Sequence, residues 1–394
     1  MTAGAVGMRA TASRNAPTLN GLLRYFAHLG TVGFGGPVVL VERMRRDLQE
    51  ERGWYTAEEY KEGLALAQLA PGPLAAQLAI YLGWVRAGFA GATLVAFAFI
   101  APSFVMVLAL SAAYLKFGGL PWMLGAFYGI GAAVIAVIAH SAWRFARRTV
   151  GRDHVLWLIV AINATITAWM RAESVWMIAA SGAVVVLLRE PPSMRGKTTV
   201  SIIAPAWLLT GIHGEASGPV VVNIVRYFAT AGVMVFGSGL AIVPFLHGGV
   251  VQQMHWLDER QFLDALAVSM ITPGPVVITV AFIGYLVAGP IGAGAAALGV
   301  FVPVYVIVVL FASSFHRWAV NRRLRAMING VTAAATGAII GAVFVLGQRA
   351  LTDLATWIIG LVAFALLLST KRVAEPVLIL AAGVVGIAIR GLMV

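Results

Sequence analysis

The chain lacks cysteine and has few charged residues. None of its 394 residues is cysteine, which excludes disulfides, thiolate metal sites and thiol redox chemistry. Only 11% of the residues are charged, whereas a soluble protein carries about 25%. A chain with so little charge cannot cover a globule with polar surface. We therefore expect most of its surface to face lipid.

Hydrophobic residues are abundant instead. They make up 60% of the chain, and the mean hydropathy is +0.89. Apolar runs of about 18 residues or more recur, long enough to cross a hydrocarbon core about 30 Å thick. The first residues have no apolar stretch typical of a signal peptide. The sequence predicts an all-α polytopic membrane protein, with residues 1–18 as a cytoplasmic tail.

The net charge of +12 has two interpretations in a membrane protein. The basic residues can lie in cytoplasmic loops and at anionic lipid, or they can line a path for anions. Nucleic acid is not an expected partner, and the lipid bilayer is. The oligomeric state is left open.

The chain repeats itself. The motif Arg-Tyr-Phe-Ala at 24–27 recurs at 226–229, and Pro-Gly-Pro at 71–73 recurs at 273–275. Trp54 matches Trp256 at the same offset, and Gly129 matches Gly330 after a slip of one residue. Such duplication is common in secondary transporters. We expect repeats at 19–190 and 221–392, joined by a linker at 191–220 that contains a short extra membrane segment.

Basic residues indicate how each half is oriented, because they concentrate on the cytoplasmic side. In the first half they follow the fourth and sixth apolar segments, at about 121–143 and 174–188, and in the second half they follow the third and fifth, at about 290–315 and 353–369. Equivalent segments thus have their basic ends on opposite sides, which predicts inverted copies. The first two segments of each half either cross fully or form re-entrant hairpins, so the number of crossings is between about 9 and 13.

Glycine and proline interrupt these first two segments. Pro-Gly-Pro breaks a helix, and in lipid such a break must face a cavity or other protein. The half-helix that begins after the break points free N–H groups and a partial positive charge into the membrane, as an oxyanion site requires. The candidate substrate-binding residues at the breaks are Gly35, Gly36, Pro37, Gln68, Pro71, Gly72, Pro73, Gln77, Gly237, Ser238, Gly239, Thr272, Pro273, Gly274 and Pro275. The side chains of Gln68, Gln77 and Thr272 could instead satisfy backbone groups that the breaks leave free.

The short motifs around the breaks resemble the chromate ion transporter family in its long, two-domain form. In the first half these are Phe34-Gly35-Gly36-Pro37, Met44-Arg45-Arg46, Trp54 and the run from Leu64 to Pro73. In the second half they are Phe236 to Gly239, Trp256-Leu257, Phe262-Leu263 and Thr272 to Pro275. Ser238 and Ala67 depart from the family pattern, where glycine and cysteine are expected, but neither removes a charge. The resemblance implies chromate efflux driven by the proton-motive force, which confers chromate resistance.

Charged residues near the breaks have alternative roles. Glu62 and Asp264 each lie nine residues before a Pro-Gly-Pro, and such carboxylates could carry the coupling proton while Arg24 and Arg226 attract the anion. Alternatively, Arg24 with Glu62 and Arg226 with Asp264 form structural ion pairs.

The basic stretch after the first glycine break also has two interpretations. Arg45 and Arg46 either capture anions in a vestibule or belong to a charged loop balanced by neighbouring acids.

No catalytic, metal or cofactor motif is present, so we expect a transporter without cofactor rather than an enzyme. Sulfate, another tetrahedral oxyanion, is the alternative substrate, because equal charge and shape make discrimination weak.

Overall fold

The computed structural model describes residues 17–117, 120–170, 175–189, 218–235, 239–312, 321–369 and 373–392. Within these ranges the chain is helical and contains no strand. The first half comprises α1 (Leu19–Val32), α2 (Pro37–Met44, continued by the π-helical stretch Arg45–Glu51), α3 (Ala57–Leu69), α4 (Leu74–Phe117), α5 (Pro121–Val150), α6 (His154–Met170) and α7 (Val175–Arg189). The second half comprises α8 (Gly218–Met234), α9 (Ile242–Leu246, continued by the π-helical stretch His247–Gln253), α10 (Glu259–Ile271), α11 (Thr279–Ala312), α12 (Arg322–Ala350), α13 (Leu354–Ser369) and α14 (Glu375–Leu392). The predicted tail before Pro17 and the extra segment in the linker lie outside the described residues.

The helices α3 and α4 form a re-entrant hairpin whose tip is Pro-Gly-Pro. Thr56 and Glu59 cap the start of α3 with a reciprocal pair of hydrogen bonds, which fixes where this helix begins. The chain then turns back at 70–73. The reversal is evident from a contact between the two helices, in which the Tyr81 hydroxyl on α4 donates to Glu62 on α3 at 3.2 Å. Gly63 lies so close to the Tyr81 ring that a Cβ there would clash with it. Of the two alternatives for this segment, the structure therefore has the hairpin.

The helices α1 and α2 form a second re-entrant hairpin, with its tip at the glycine break. The Tyr25 hydroxyl donates to Asp47 at 3.2 Å, and Arg43 donates to the Val32 carbonyl at 3.3 Å. The first contact joins α1 to the π-helical continuation of α2, and the second joins α2 to the residue at which α1 ends. Both glycine-rich segments of the first half thus enter and leave on the same side.

The long helix α4 reverses direction at its kink. Ala87 and Gly88 have non-helical backbone angles, with φ of +57° at Gly88, a value that glycine adopts without strain. A Cβ at Gly83 would lie 2.5 Å from the carbonyl oxygen of Gly91, so the two segments pack backbone to backbone. Residues 89–117 then form an apolar helical segment that is long enough to cross a membrane.

The second half repeats these features. Asp258 and Gln261 cap α10 as Thr56 and Glu59 cap α3. The chain kinks in α11 at Gly289, where φ is +63°. The close approach of Gly83 to Gly91 has its counterpart in that of Gly284 to Gly292.

The two halves are related by a pseudo-two-fold axis. The Gly72 N–H donates to the Val235 carbonyl at 2.6 Å, and the Gly274 N–H donates to the Gly33 carbonyl at 2.9 Å. Each bond is the counterpart of the other at an offset of 202 residues, and such reciprocal exchange is typical of a two-fold relation. The break in each half is therefore tied to the glycine break of the other.

Equivalent helices run in opposite directions. Tyr128, near the start of α5, donates to Asp353 at 2.6 Å, and Asp353 follows the end of α12. The helix α12 is the equivalent of α5, since Gly330 matches Gly129. The halves are therefore inverted repeats, as the distribution of basic residues predicts.

The bundle has an apolar exterior. By length and composition, four helical stretches of the described chain can cross a membrane: Leu74–Phe117, Pro121–Val150, Val276–Ala312 and Arg322–Ala350. Large apolar side chains such as Trp169 and Trp176 are exposed on its surface, where lipid replaces water. The buried core lies where the hairpins of both halves meet.

Candidate substrate site at the hairpin tips

A cavity of about 70 Å³ lies where hairpin tips from both halves meet the helix α5. One ordered water needs about 10–15 Å³, so this cavity, called here the tip pocket, has room for a small anion in place of several waters. Its lining residues are Gly35, Gly36, Pro37, Val38 and Val39 from the first hairpin, Leu240, Ser269, Met270, Thr272, Gly274 and Val276 from the second half, Val137, Ser141, Arg144, Phe145 and Arg148 from α5, and Glu375 from α14.

The amino terminus of α2 forms one wall of the tip pocket. Gly36 is the N-cap residue and makes no side-chain cap bond, and Pro37 occupies the first turn without an N–H. The first turn of a helix presents backbone N–H groups and the positive end of the helix dipole. Gly35 has a φ of +107°, so glycine is needed to bring the chain into this turn. The wall therefore favours an anion.

Two arginines on α5 form a second wall. Arg144 and Arg148 lie one helical turn apart and both line the tip pocket. Neither guanidinium has a hydrogen-bond or ion-pair partner among the described residues. Guanidinium groups match the geometry of oxyanions with paired N–H donors. Two unpaired guanidiniums beside a helix amino terminus give the pocket the chemistry of a dianion site.

Glu375 and Ser141 are the remaining polar side chains that the described residues leave available in the pocket. Glu375 begins α14 and lines the pocket together with Arg144. The Ser141 hydroxyl lies on the same face of α5 as the two arginines, one turn earlier. By contrast, the Ser269 hydroxyl donates to the Leu266 carbonyl at 2.8 Å.

The two Pro-Gly-Pro breaks lie in different surroundings. Gly274 lines the tip pocket, flanked by the buried Pro273 and Pro275. Pro71, Gly72 and Pro73 do not line it, and Gly72 packs against Val304 of the other half. The N–H groups of both glycines are used in bonds between the halves. The helix start that contributes most to the lining of the tip pocket is that of α2, with Gly36, Pro37 and Val38.

The amide and hydroxyl side chains near the breaks mostly serve the backbone. Gln77 is fully buried, and its Nε2 donates to the carbonyls of Pro71 at 2.7 Å and Ala70 at 3.2 Å. The Thr272 hydroxyl lines the pocket but donates to the Val268 carbonyl at 2.6 Å. Gln68 is exposed on α3, away from the pocket. Gly239 is buried beside Val277, while Gly237 and Ser238 lie outside the described residues.

The candidate proton-coupling carboxylates bind tyrosines. Glu62 accepts a hydrogen bond from Tyr81 in its own hairpin. Asp264 is 4% exposed and accepts one at 2.7 Å from Tyr114 of the other half. Neither lines the tip pocket. Arg24 is exposed, and no ion pair joins it to Glu62 within the described part of the chain. Arg226 is half-buried on α8.

Arg45 and Arg46 lie in a charged surface cluster. Arg45 pairs with Glu42 at 2.6 Å and with Glu50, and Arg46 pairs with Asp47 at 3.3 Å and with Glu51. These arginines already have carboxylate partners, so they attract an incoming anion less than the unpaired arginines of α5. The arrangement favours the charged-loop interpretation.

Sequence reasoning missed Arg144, Arg148, Ser141 and Glu375 as pocket residues. The arginines were interpreted only as a marker of orientation. The signal that could have found those on α5 is their spacing, because Ser141, Arg144 and Arg148 fall on one face of a helix. An unbroken polar face within an otherwise apolar helix indicates a cavity.

Comparisons with known proteins agree with this architecture. The family model "Chromate transporter" matches twice, at residues 21–186 and 222–387. A chromate transport protein of Cupriavidus metallidurans is 51% identical, over 94% of this chain and 93% of its own. A probable chromate transport protein of Synechococcus elongatus is 50% identical, over 94% and 96%. A chromate transport protein of Pseudomonas aeruginosa is 31% identical, over 93% and 91%. No solved structure matches the chain.

Proposed function

Because this chain belongs to the chromate transporter family, we propose that it exports chromate from the bacterial cytoplasm across the inner membrane, and that the tip pocket binds the anion. One observation carries the proposal. Hairpin tips from both halves and two unpaired guanidiniums meet in one small cavity. In inverted-repeat transporters the substrate binds at the interface between the repeats, beside broken helices.

The chemistry of the tip pocket suits a tetrahedral dianion. Arg144 and Arg148 offer two positive charges with directional N–H donors, and the start of α2 adds a partial positive charge. The apolar side chains of Val38 and Val39 line part of the same pocket. Sulfate has the same charge and shape, so it should compete for the site.

The position of the arginines supports loading from the cytoplasm. Arg144 and Arg148 lie at the basic end of α5, which the positive-inside rule places on the cytoplasmic side. An anion captured there is driven outward by the membrane potential. Moving one charge through 100 mV is equivalent to about 2.3 kcal/mol, so a dianion gains about 4.6 kcal/mol.

Proton antiport would add to this driving force. Asp264 is buried and hydrogen-bonded to a tyrosine of the other half, and a buried carboxylate at a contact between repeats is suited to a conformational change linked to a proton. Glu62 is its equivalent in the first half. Glu62 and Asp264 are therefore the candidates for proton coupling. Export driven in this way would confer chromate resistance on the cell.

Transport by inside-out vesicles tests the proposal. The variants Arg144→Gln and Arg148→Gln should each raise the KM for chromate at the cytoplasmic face about tenfold or more, because a hydrogen bond to a charged group contributes about 1.5–3 kcal/mol. Arg46→Gln removes an arginine from the surface cluster and is the matched control, with a KM near that of the wild type. Membrane abundance is measured in parallel.

Two results would contradict the proposal. If Arg144→Gln and Arg148→Gln transport chromate normally while Arg46→Gln does not, the anion enters through the surface cluster rather than the tip pocket. If radiolabelled sulfate is accumulated faster than radiolabelled chromate, the preferred substrate is sulfate.

A further inference from the structure

The tip pocket contains a carboxylate that binding of a dianion alone does not explain. Glu375 lines the pocket together with Arg144 and Arg148. A negative charge beside a site for a dianion repels the dianion and weakens its binding. Its presence at this position therefore needs a role.

Glu375 is held near Arg144 without bonding to it. Both residues line the tip pocket, yet no ion pair joins the two groups among the described residues. By contrast, Arg45 pairs with Glu42 at 2.6 Å and Arg189 pairs with Asp153.

Glu375 is also fixed at the edge of the pocket by its helix. It is the first residue of α14, and Pro376 follows it. The Leu378 N–H donates to the Ala374 carbonyl at 3.2 Å, which closes the first turn. A carboxylate in the first turn of a helix interacts favourably with the positive end of the helix dipole, and this turn places Glu375 in the lining of the pocket.

We propose that Glu375 is an internal counter-anion that sets the affinity of the tip pocket by competing with the transported dianion for Arg144. This inference rests on the proposed function. In the empty pocket the carboxylate offsets the charge of Arg144, so the unloaded protein can change conformation with less uncompensated charge. In the loaded pocket the dianion takes the guanidinium, and repulsion from Glu375 prevents the complex from becoming too stable to release its cargo.

Neutralising this carboxylate should separate affinity from turnover. In inside-out vesicles, Glu375→Gln should lower the KM for chromate about tenfold, because it removes the repulsion between the dianion and one partly buried negative charge. The same variant should lower kcat, since release of the anion and return of the empty protein both become slower. Glu51→Gln removes a carboxylate from the surface cluster and is the matched control, with KM and kcat unchanged.

A shorter side chain provides a second test. Glu375→Asp keeps the charge but withdraws it by one methylene from Arg144, so the KM should fall by a smaller factor. A merely structural role for Glu375 would reduce membrane abundance in these variants without lowering the KM. An unchanged or higher KM in whichever of the two variants inserts overturns the inference. If Arg144→Gln also leaves the KM unchanged, the proposed site fails as well. If Arg144→Gln raises the KM, only the role of Glu375 is wrong.

Discussion

At the scale of single residues, one hydrogen-bonded carboxylate joins the two halves at the end of α12. The Tyr128 hydroxyl donates to both oxygens of Asp353, at 2.6 and 2.7 Å. Asp353 also caps α13, where it accepts from the Thr356 N–H at 2.9 Å. These bonds, first that of Tyr128 and then that of Thr356, hold the pKa of Asp353 below its ordinary value. A carboxylate with a lowered pKa stabilises the fold only while it is ionised.

This contact predicts a pH-dependent loss of stability. Tyr128→Phe should lower Tm at pH 7 by about 2 °C, since an exposed contact of this kind contributes less than about 1 kcal/mol. The stabilisation is present above the unfolded pKa of about 3.9 and is lost as the pH falls through the folded pKa. The difference in Tm from the wild type should therefore shrink below about pH 4, measured in detergent between pH 7 and 3.

The matched control is a hydroxyl contact without a carboxylate. The Tyr305 hydroxyl lies 2.6 Å from the Thr93 hydroxyl, also between the halves. Tyr305→Phe should lower Tm by an amount that does not depend on pH. A pH-independent difference for Tyr128→Phe would contradict the assignment to Asp353.

At the scale of elements, the hairpin tips determine whether the chain folds. Pro71, Gly72 and Pro73 reverse the chain between α3 and α4, and Gly72 has a φ of +136°, which side-chain-bearing residues rarely adopt. Replacing all three with alanine favours one continuous helix. Such a helix cannot retain the bond between Tyr81 and Glu62. We expect the triple variant to lose folded protein, measured as the monodisperse peak of a detergent extract.

Another proline in the same chain provides the control for this prediction. Pro121 occupies the first turn of α5, where proline is favourable but not required. Pro121→Ala should give a monodisperse peak of nearly wild-type size. A triple variant at 71–73 with an equally large monodisperse peak would mean that the reversal does not depend on Pro-Gly-Pro.

The breaks could be predicted from the sequence, but the direction of the chain after them could not. Proline and glycine determine that a helix stops. Whether the next helix continues or turns back depends on contacts between distant residues, such as Gly63 with Tyr81 and Gly83 with Gly91. The site was only partly predictable for the same reason. The glycine break at 35–37 and Thr272 to Gly274 were found by pattern, whereas Glu375 reaches the pocket from a helix more than 100 residues further along the chain.

At the scale of the whole molecule, the inverted halves are not chemically equivalent. At the offset that matches Gly129 to Gly330, Arg148 corresponds to Arg349, but Arg144 corresponds to Val345. Val345 is 5% exposed, and Arg349 lies exposed at the end of α12. This end of the bundle also carries Asp353, opposite the basic end of α5. In inverted-repeat transporters the two halves exchange roles when access alternates. The external vestibule should thus offer one arginine where the cytoplasmic one offers two, which favours capture inside and release outside.

This asymmetry predicts that two equivalent arginines act on different faces. Arg349→Gln should raise the concentration of external chromate that inhibits export about tenfold, because it removes the external guanidinium, and it should leave the KM at the cytoplasmic face unchanged. Arg148→Gln should do the reverse, so each variant is the control for the other. Inside-out vesicles give the cytoplasmic KM, and right-side-out vesicles give the external inhibition. Were both variants to change the two faces equally, the arginines would belong to one shared path, and the difference between Arg144 and Val345 could not explain the direction of transport.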